Sequence, residues 1–274
     1  WIADFRDPMA QPGYPADPEA WKSFHDIESR AVSDARFSVF TTPGAAREYR
    51  QRYPAGADRI KVVENGFDEE SFAGLPDSAD PLHPGAVTLL HSGVVYPMER
   101  DPTQLFAAIA QLASAGRIRP GEFLVRFRAA GHDELLRELA QRHRVSEFIE
   151  ICPPVRYRDA LIEMQAAEGL LVLQAADCND QIPAKLYEYL RARRPIVALT
   201  DPKGDTADAV RRAGLDSIAP LDSAEAIAVL LERFIDEVRS ARAALPDARF
   251  VATASRRGRT QELAELLERA TASR

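Results

Sequence analysis

Short β-branched and apolar runs alternate along the chain with longer segments whose apolar residues recur at three- and four-residue spacing. The first pattern suits buried strands and the second one face of a helix, so their alternation predicts βα units and a parallel sheet. Strands are expected over residues 60–64, 86–91, 123–129, 147–152, 169–173 and 195–199, with a last short one at 216–219. Helices are expected over 102–115, 133–143, 158–167, 183–192, 205–213 and 224–242. From residue 86 onward strand and helix alternate regularly, and about 160 residues of this suit one doubly wound domain.

Residues 72–85, FAGLPDSADPLHPG, carry three prolines and few large apolar groups, so they read as a linker. Ahead of it lie a strand end at 1–4, a helix at 18–33, a strand at 37–41, a helix at 44–52 and the strand that runs into Asn65-Gly66. These are βα units too, but too few for a sheet of ordinary width. Beyond Pro246 the pattern predicts one more helix, 256–270, with no strand after it. The expected organisation is a partial N-terminal Rossmann-like unit over 1–75, a complete Rossmann-like doubly wound unit over 76–246, and a closing helix within 247–274.

Composition narrows the function. The 274 residues are 46% hydrophobic and 28% charged, which suits a packed core and argues against disorder. With 35 Lys and Arg against 42 Asp and Glu the net charge is −7, unfavourable for a nucleic-acid binder, whose affinity comes mainly from neutralising phosphates. An anionic ligand must therefore be met by locally placed cations. No apolar run approaches a membrane span and no signal segment opens the chain, so a cytoplasmic protein is expected. Cys152 and Cys178 form no CxxC and read as buried or semi-buried thiols. HExxH, GxSxG, P-loop and GxGxxG patterns are absent, which leaves metalloprotease, serine hydrolase, NTPase and typical dehydrogenase readings without support.

Three loops carry candidate chemistry. DCNDQIPAKLYEYL (177–190) follows an apolar strand and enters a helix at Pro183, a residue suited to a first helical turn. In a doubly wound sheet this is a strand's carboxyl end, where ligands bind. Asp180 and Glu188 stand eight apart and can face one crevice; helix-start N–H groups suit phosphate, and carboxylates suit sugar or ribose hydroxyls. Read alone, Lys185 and Glu188 are equally a surface ion pair. In HSGVVYPMERDP (91–102), Gly93 permits close backbone approach and Arg100 stands where loop meets helix. Both suit a diphosphate, although an ordinary turn accounts for them as well. Gly131 follows the next strand, with Asp133 as the expected helix N-cap and His132 facing solvent. DFRDP sets Asp4, Arg6 and Asp7 at a strand end, as a cleft lining or a salt-bridged loop.

Together these stretches resemble the GT-B glycosyltransferases, specifically the retaining family 4 group. The donor-site pattern of that family is an acid, seven residues and a second acid on a helix, followed by a Pro-containing strand; Asp180, Glu188 and RRPIVAL take those places. HSGVVYPMERDPTQLFAAI resembles the family's first donor-domain strand and phosphate loop, ENGFDEESF its interdomain Asn-Gly hinge, and WIADFRDPM a strand end in the acceptor domain of bacterial polysaccharide-type members. The resemblance implies an α/β GT-B fold and a hexosyl transfer from a nucleotide-sugar to a hydroxyl acceptor, with retention. Glu188 would hold the ribose, Asp180 the donor sugar, and Gly93, Arg100 and Lys185 the diphosphate, with Asp180, Arg100 and Lys185 as the catalytic set. Tyr96, Gly131, Ile182 and Pro183 would line the donor, and the base would lie against 151–156, with Cys152 and Val155. Asp4, Arg6 and Asp7 would face the acceptor.

No metal or other cofactor is expected, because placed cations stabilise the leaving diphosphate. The implied partners are the nucleotide-sugar and a glycan or lipid-linked glycan, the latter with peripheral contact at the inner membrane face. Two positions depart from the family: Asp180 stands where Glu is commoner, and Val94 where a basic residue often follows the glycine, so Arg100 or Lys185 carries more of the charge. The resemblance also implies that the closing helix of 247–274 crosses back to brace the first unit, and that the first acceptor-side units lie outside this sequence, so that the chain binds donor better than it catalyses transfer. The alternatives are a GT-B epimerase or hydrolase on the same donor, and a non-catalytic nucleotide-sugar-binding module or partner subunit.

Overall fold

A computed structural model describes residues 1–76 and 79–272. Asp77 and Ser78 of the expected linker, and Ser273 and Arg274 of the expected closing segment, lie outside the described residues. The chain opens with β1 (Ile2–Phe5), α1 (Pro18–Asp34), β2 (Phe37–Phe40), α2 (Pro43–Arg52), β3 (Ile60–Val62) and a single-turn α3 (Glu69–Phe72). Among the described residues β1, β2 and β3 pair in parallel in that order. There follow β4 (Val87–Ser92), α4 (Thr103–Ser114), β5 (Phe123–Arg128), α5 (Asp133–His143), β6 (Ile149–Cys152), α6 (Tyr157–Ala166) and β7 (Gly169–Leu173). The remainder is α7 (Lys185–Ala192), β8 (Ile196–Leu199), α8 (Asp205–Arg212), β9 (Ile218–Ala219), α9 (Ala224–Arg239), α10 (Ala248–Thr253) and α11 (Arg256–Ala272).

The second sheet is parallel in the order β6-β5-β4-β7-β8-β9. The chain works outward from β4 to one edge and then restarts at β7 on the other side. The loops after β4 and β7 therefore part, and a crevice opens at the carboxyl ends of these two strands. The sequence of β7, GLLVL, explains its central place: every residue is buried. Leu171 and Leu173 enter the core shared with α4, α5 and α9, while Leu170 and Val172 enter the core shared with α6, α7 and α8. A strand covered on both faces needs a continuous apolar run.

The first sheet packs Phe5 and Phe40 against Tyr49 of α2, the two phenylalanine rings stacked at 5.0 Å. Its other face, Phe37 and Val39, is covered by Leu266 of α11. The chain thus crosses between the sheets twice, and the crossings pair: Phe67 N donates to the Ala254 carbonyl at 3.1 Å and Arg256 N to the Phe67 carbonyl at 2.7 Å. Gly66 permits this, since a Cβ there would stand 2.7 Å from Ala254 O and 2.9 Å from Arg256 N. Beside it Glu64, 8% exposed, receives Arg212 of α8 at 2.7 Å and Arg259 of α11 at 3.2 Å, so one carboxylate ties both bodies to the hinge.

Several expected boundaries move. Helix α7 begins at Lys185, leaving Pro183 outside with its carbonyl accepting from Leu186 N at 2.9 Å. Strand β6 begins at Ile149, because Phe148 turns inward in a short 3₁₀ turn and buries its ring. His132 takes the N-cap position of α5 and makes no side-chain cap bond; Asp133 is the first helical residue. The expected linker is held at both ends: Phe72 is buried at the end of α3, and His83 bonds to Glu150 and Arg126 beside the sheet.

Candidate active site

The crevice is a cavity of about 170 Å³ between the two sheets. Arg6, Asp7 and Thr42 line it from the first sheet, and Arg100, Gln174 and Asp180 from the second. Ile182, Pro183, Ala184, Cys178 and Asn65 also stand in the wall. Asp4 stands instead in an adjoining hollow of about 440 Å³, which shares Arg6, Asn65 and Ala184 with the crevice and is closed by Arg256 and Arg259 of α11.

Beside the crevice, and reaching it through Arg100, a cationic cluster is built where β4 ends. Gly93 has φ +106°, a conformation that favours glycine, and a Cβ there would stand 3.2 Å from Lys185 Nζ. The loop start is fixed from behind by the buried Tyr189, whose hydroxyl accepts from Ser92 N at 2.8 Å. Arg100 Nη1 donates to the Val94 carbonyl at 2.6 Å, and its guanidinium lies 4.9 Å from the centre of the Tyr96 ring. Tyr96 thus supports a cation here, with 46% of its surface exposed. Burial lowers the Lys185 ammonium to about 7, with help from Arg100 and against the pull of Glu188. Lys185 Nζ also lies 3.0 Å from Nε2 of His91, which has no exposed surface. His91 was not singled out from sequence, although a histidine ending the apolar run VTLLHS was the signal.

The helix mouth offers less than expected. Leu186 N and Tyr187 N of α7 turn back onto the Pro183 and Ala184 carbonyls at 2.9 and 3.2 Å, so side-chain cations carry more of an anion's charge. Glu188 is half-buried and accepts from the Tyr157 hydroxyl at 2.6 Å. Burial and Glu188 together push that phenol up to about 12, which keeps it a donor. Cys152 and Val155 stand at and just after the end of β6, and Gly131, with φ +75°, after β5; these three lie outside the crevice lining, as do Gly93, Tyr96, Lys185 and Glu188, so that of the expected donor side Arg100, Asp180, Ile182 and Pro183 line it.

Asp180 has partners the sequence did not reveal. Its carbonyl accepts from Thr42 Oγ1 at 2.6 Å, and its carboxylate lies against Gly44 and 3.5 Å from Arg47 Nη2. Gly44 N and Arg47 donate to Asp205 at 2.5 and 3.2 Å. Asp205 is 2% exposed, and burial raises its carboxyl against these donors. The N-terminus of α2 is therefore latched to the second sheet.

The loop that follows Asp7 hangs on a buried carboxylate. Glu28, with no exposed surface, accepts from Ala10 N at 3.0 Å, Tyr53 OH at 2.7 Å, Arg52 Nη1 at 2.6 Å and the Tyr49 hydroxyl. Burial pushes this carboxyl up, but the Tyr49, Ala10, Tyr53 and Arg52 bonds outweigh it and hold it below the usual range. Tyr49 OH also accepts from Met9 N at 2.9 Å, so residues 9–10 are fixed just beyond Asp7.

Neither a protein-family model nor a curated protein matches the sequence. Solved structures do match. A sucrose-phosphate synthase from Thermosynechococcus elongatus aligns with 100% of this chain and 68% of its own, at 14% identity and TM-score 0.70. The Anabaena protein HepE, in complex with UDP and glucose, aligns over 97% and 71% at 16% identity and TM-score 0.71. A UDP-forming trehalose-phosphate synthase from Burkholderia xenovorans, in complex with glucose-6-phosphate, aligns over 96% and 67% at 13% identity and TM-score 0.67. The architecture is the GT-B fold, with its crevice between two Rossmann-like bodies. Among the described residues no helix is long and apolar enough to cross a membrane.

Proposed function

We propose that this chain is a glycosyltransferase that moves a sugar from a nucleotide-sugar to a hydroxyl acceptor, without a metal and with retention, in polysaccharide or glycoconjugate synthesis. The carrying observation is the convergence of Lys185 and Arg100 on the Gly93 loop, at the switch point of a parallel sheet, with Arg100 lining the same crevice as Asp180. Breaking the bond between the anomeric carbon and the phosphate oxygen sends the electron pair onto a diphosphate. Two cations beside a glycine with no side chain can meet that charge as it develops. The acceptor hydroxyl approaches the same face of the sugar from the side of Arg6 and Asp7, and the rigid Glu28 anchor holds that loop in place. Glu188 meets the ribose, its carboxylate oriented by Tyr157. The UDP and glucose bound by one protein of this fold, and the UDP formed by another, support a nucleoside diphosphate as the product.

Titration calorimetry with UDP, GDP and ADP, followed by donor turnover with glycan acceptors, tests the reading. Glu188→Ala removes up to two charge-assisted bonds of about 1.5–3 kcal/mol each, so nucleotide affinity falls by at least about tenfold while the melting temperature holds. Unchanged affinity overturns the placement of Glu188. Absence of binding by all three nucleotides in the unmodified protein overturns the function, and release of free sugar into water points to a hydrolase.

A further inference from the structure

A lysine ammonium on a flexible four-carbon stem has no fixed direction of its own. At Lys185 the fixed element is the imidazole beneath it. His91 Nδ1 lies 3.0 Å from the Leu171 carbonyl on β7, and Nε2 lies 3.0 Å from Lys185 Nζ. A carbonyl only accepts, so Nδ1 carries the ring proton and Nε2 presents its lone pair to the lysine. The Val94 carbonyl also faces the ring and takes Arg100 Nη1 at 2.6 Å; the Lys185 ammonium, which can only donate, is what assigns the lone pair to Nε2. Burial, reinforced by Lys185, holds the imidazole well below the usual histidine range, so it stays neutral.

We propose that His91 is a positioning residue for Lys185: its neutral ring takes one ammonium N–H and holds the others toward the space over Gly93, where the donor's diphosphate collects. This rests on the function proposed above and adds to it a residue and a proton count. The charged groups facing Lys185 are Arg100 from the loop after β4, which repels it, and Glu188 from its own helix, which attracts it. Glu188 is partly committed to Tyr157, and His91 supplies an acceptor without a charge. The titrating charge at the loop is then Lys185 itself, poised near 7 in the empty site. An arriving diphosphate stabilises the ammonium, so binding above that pH takes up a proton.

The tightest of UDP, GDP and ADP is titrated calorimetrically from mildly acidic to mildly alkaline pH, in buffers of different ionisation enthalpy. The unmodified protein is expected to lose affinity as pH rises above neutrality, with proton uptake on the alkaline side. His91→Leu fills the space without an acceptor; it binds about tenfold more weakly at neutral pH, and its decline begins at lower pH. His91→Gln, whose carbonyl can accept from Lys185, restores both affinity and profile to within about threefold. Lys185→Arg carries a permanent cation and flattens the profile. Long-range proton–nitrogen spectra of the unmodified protein need no variant and are expected to show His91 as the Nδ1–H tautomer. An Nε2–H tautomer, or a His91→Leu protein with the affinity and pH profile of the original, overturns the proposal while leaving the function intact. An unmodified protein that binds none of the three nucleotides overturns both.

Discussion

Replacing Gly44 by alanine sets two effects of opposite sign against each other. Gly44 lies inside α2 without a positive φ, and there alanine is the better helix former by about 1 kcal/mol. Against this, the added Cβ overlaps Asp180 Oδ1 and stands 2.6 Å from Cγ and 2.7 Å from Cβ of the same residue. Rotating χ1 moves the carboxylate but leaves the Asp180 Cβ where it is, so the loop itself must withdraw from α2. Asp205 N is bonded to the Asn179 carbonyl at 2.9 Å, so the loop and Asp205 retreat together. The bonds lost are Thr42 Oγ1 to the Asp180 carbonyl and Gly44 N to the Asp205 carboxylate. A neutral bond contributes about 1 kcal/mol and a charge-assisted one about 1.5–3, so the loss exceeds the helix gain by about 1.5–3 kcal/mol. Amide exchange at position 44 and over residues 179–182 should accelerate by about tenfold to a hundredfold. Adding Asp180→Gly removes the clash and should restore protection at position 44. A Gly44→Ala protein with unchanged exchange and a gain of about 1 kcal/mol would mean that helix propensity alone decides, and would refute the latch.

The Glu28 anchor predicts that Glu28→Ala costs about 3–5 kcal/mol in urea unfolding, because Arg52 and two tyrosine hydroxyls lose a buried partner; a loss under about 1 kcal/mol would contradict it. Glu28, Glu150 and Glu163 are all held below the ordinary glutamate value of 4.5, each by donors that outweigh the opposing effect of burial. The stability they contribute is therefore complete above that pH and is lost as pH falls through their folded values, where the unfolded chain binds more protons. The urea midpoint should drop on this acid side, and less steeply in Glu163→Gln; equal slopes would count against the assignment. Burial pushes the Cys178 thiol up to about 12 and raises Cys152, which is half-buried. A disulfide reagent should label Cys152 slowly in the native protein and Cys178 only after denaturation, and rapid reaction of both would show the burial to be wrong.

The sequence by itself determined what depends on local periodicity. The all-apolar GLLVL had to be a strand covered on both faces, and a chain of alternating strands and helices had to return each strand parallel to the last. Parallel strands place their outgoing loops at one edge, and the resemblance to GT-B glycosyltransferases then grouped Gly93, Arg100 and Lys185 there before any contact was known. Tertiary structure alone decided the partners. His91 and Lys185 stand 94 residues apart, and Asp205 reaches Gly44 across 161. Glu28 lies on a helix rich in charged and polar residues, where nothing local separates a buried acid from a solvated one. The closing helix α11 carries only a short apolar stripe, Leu263, Leu266 and Ala270, and that stripe covers Phe37 and Val39 because the chain crosses back between the sheets at residues 254–256, paired against Phe67. Periodicity states which face of an element is apolar; which surface it meets, and which buried charge finds which donor, is settled only when distant segments are brought together.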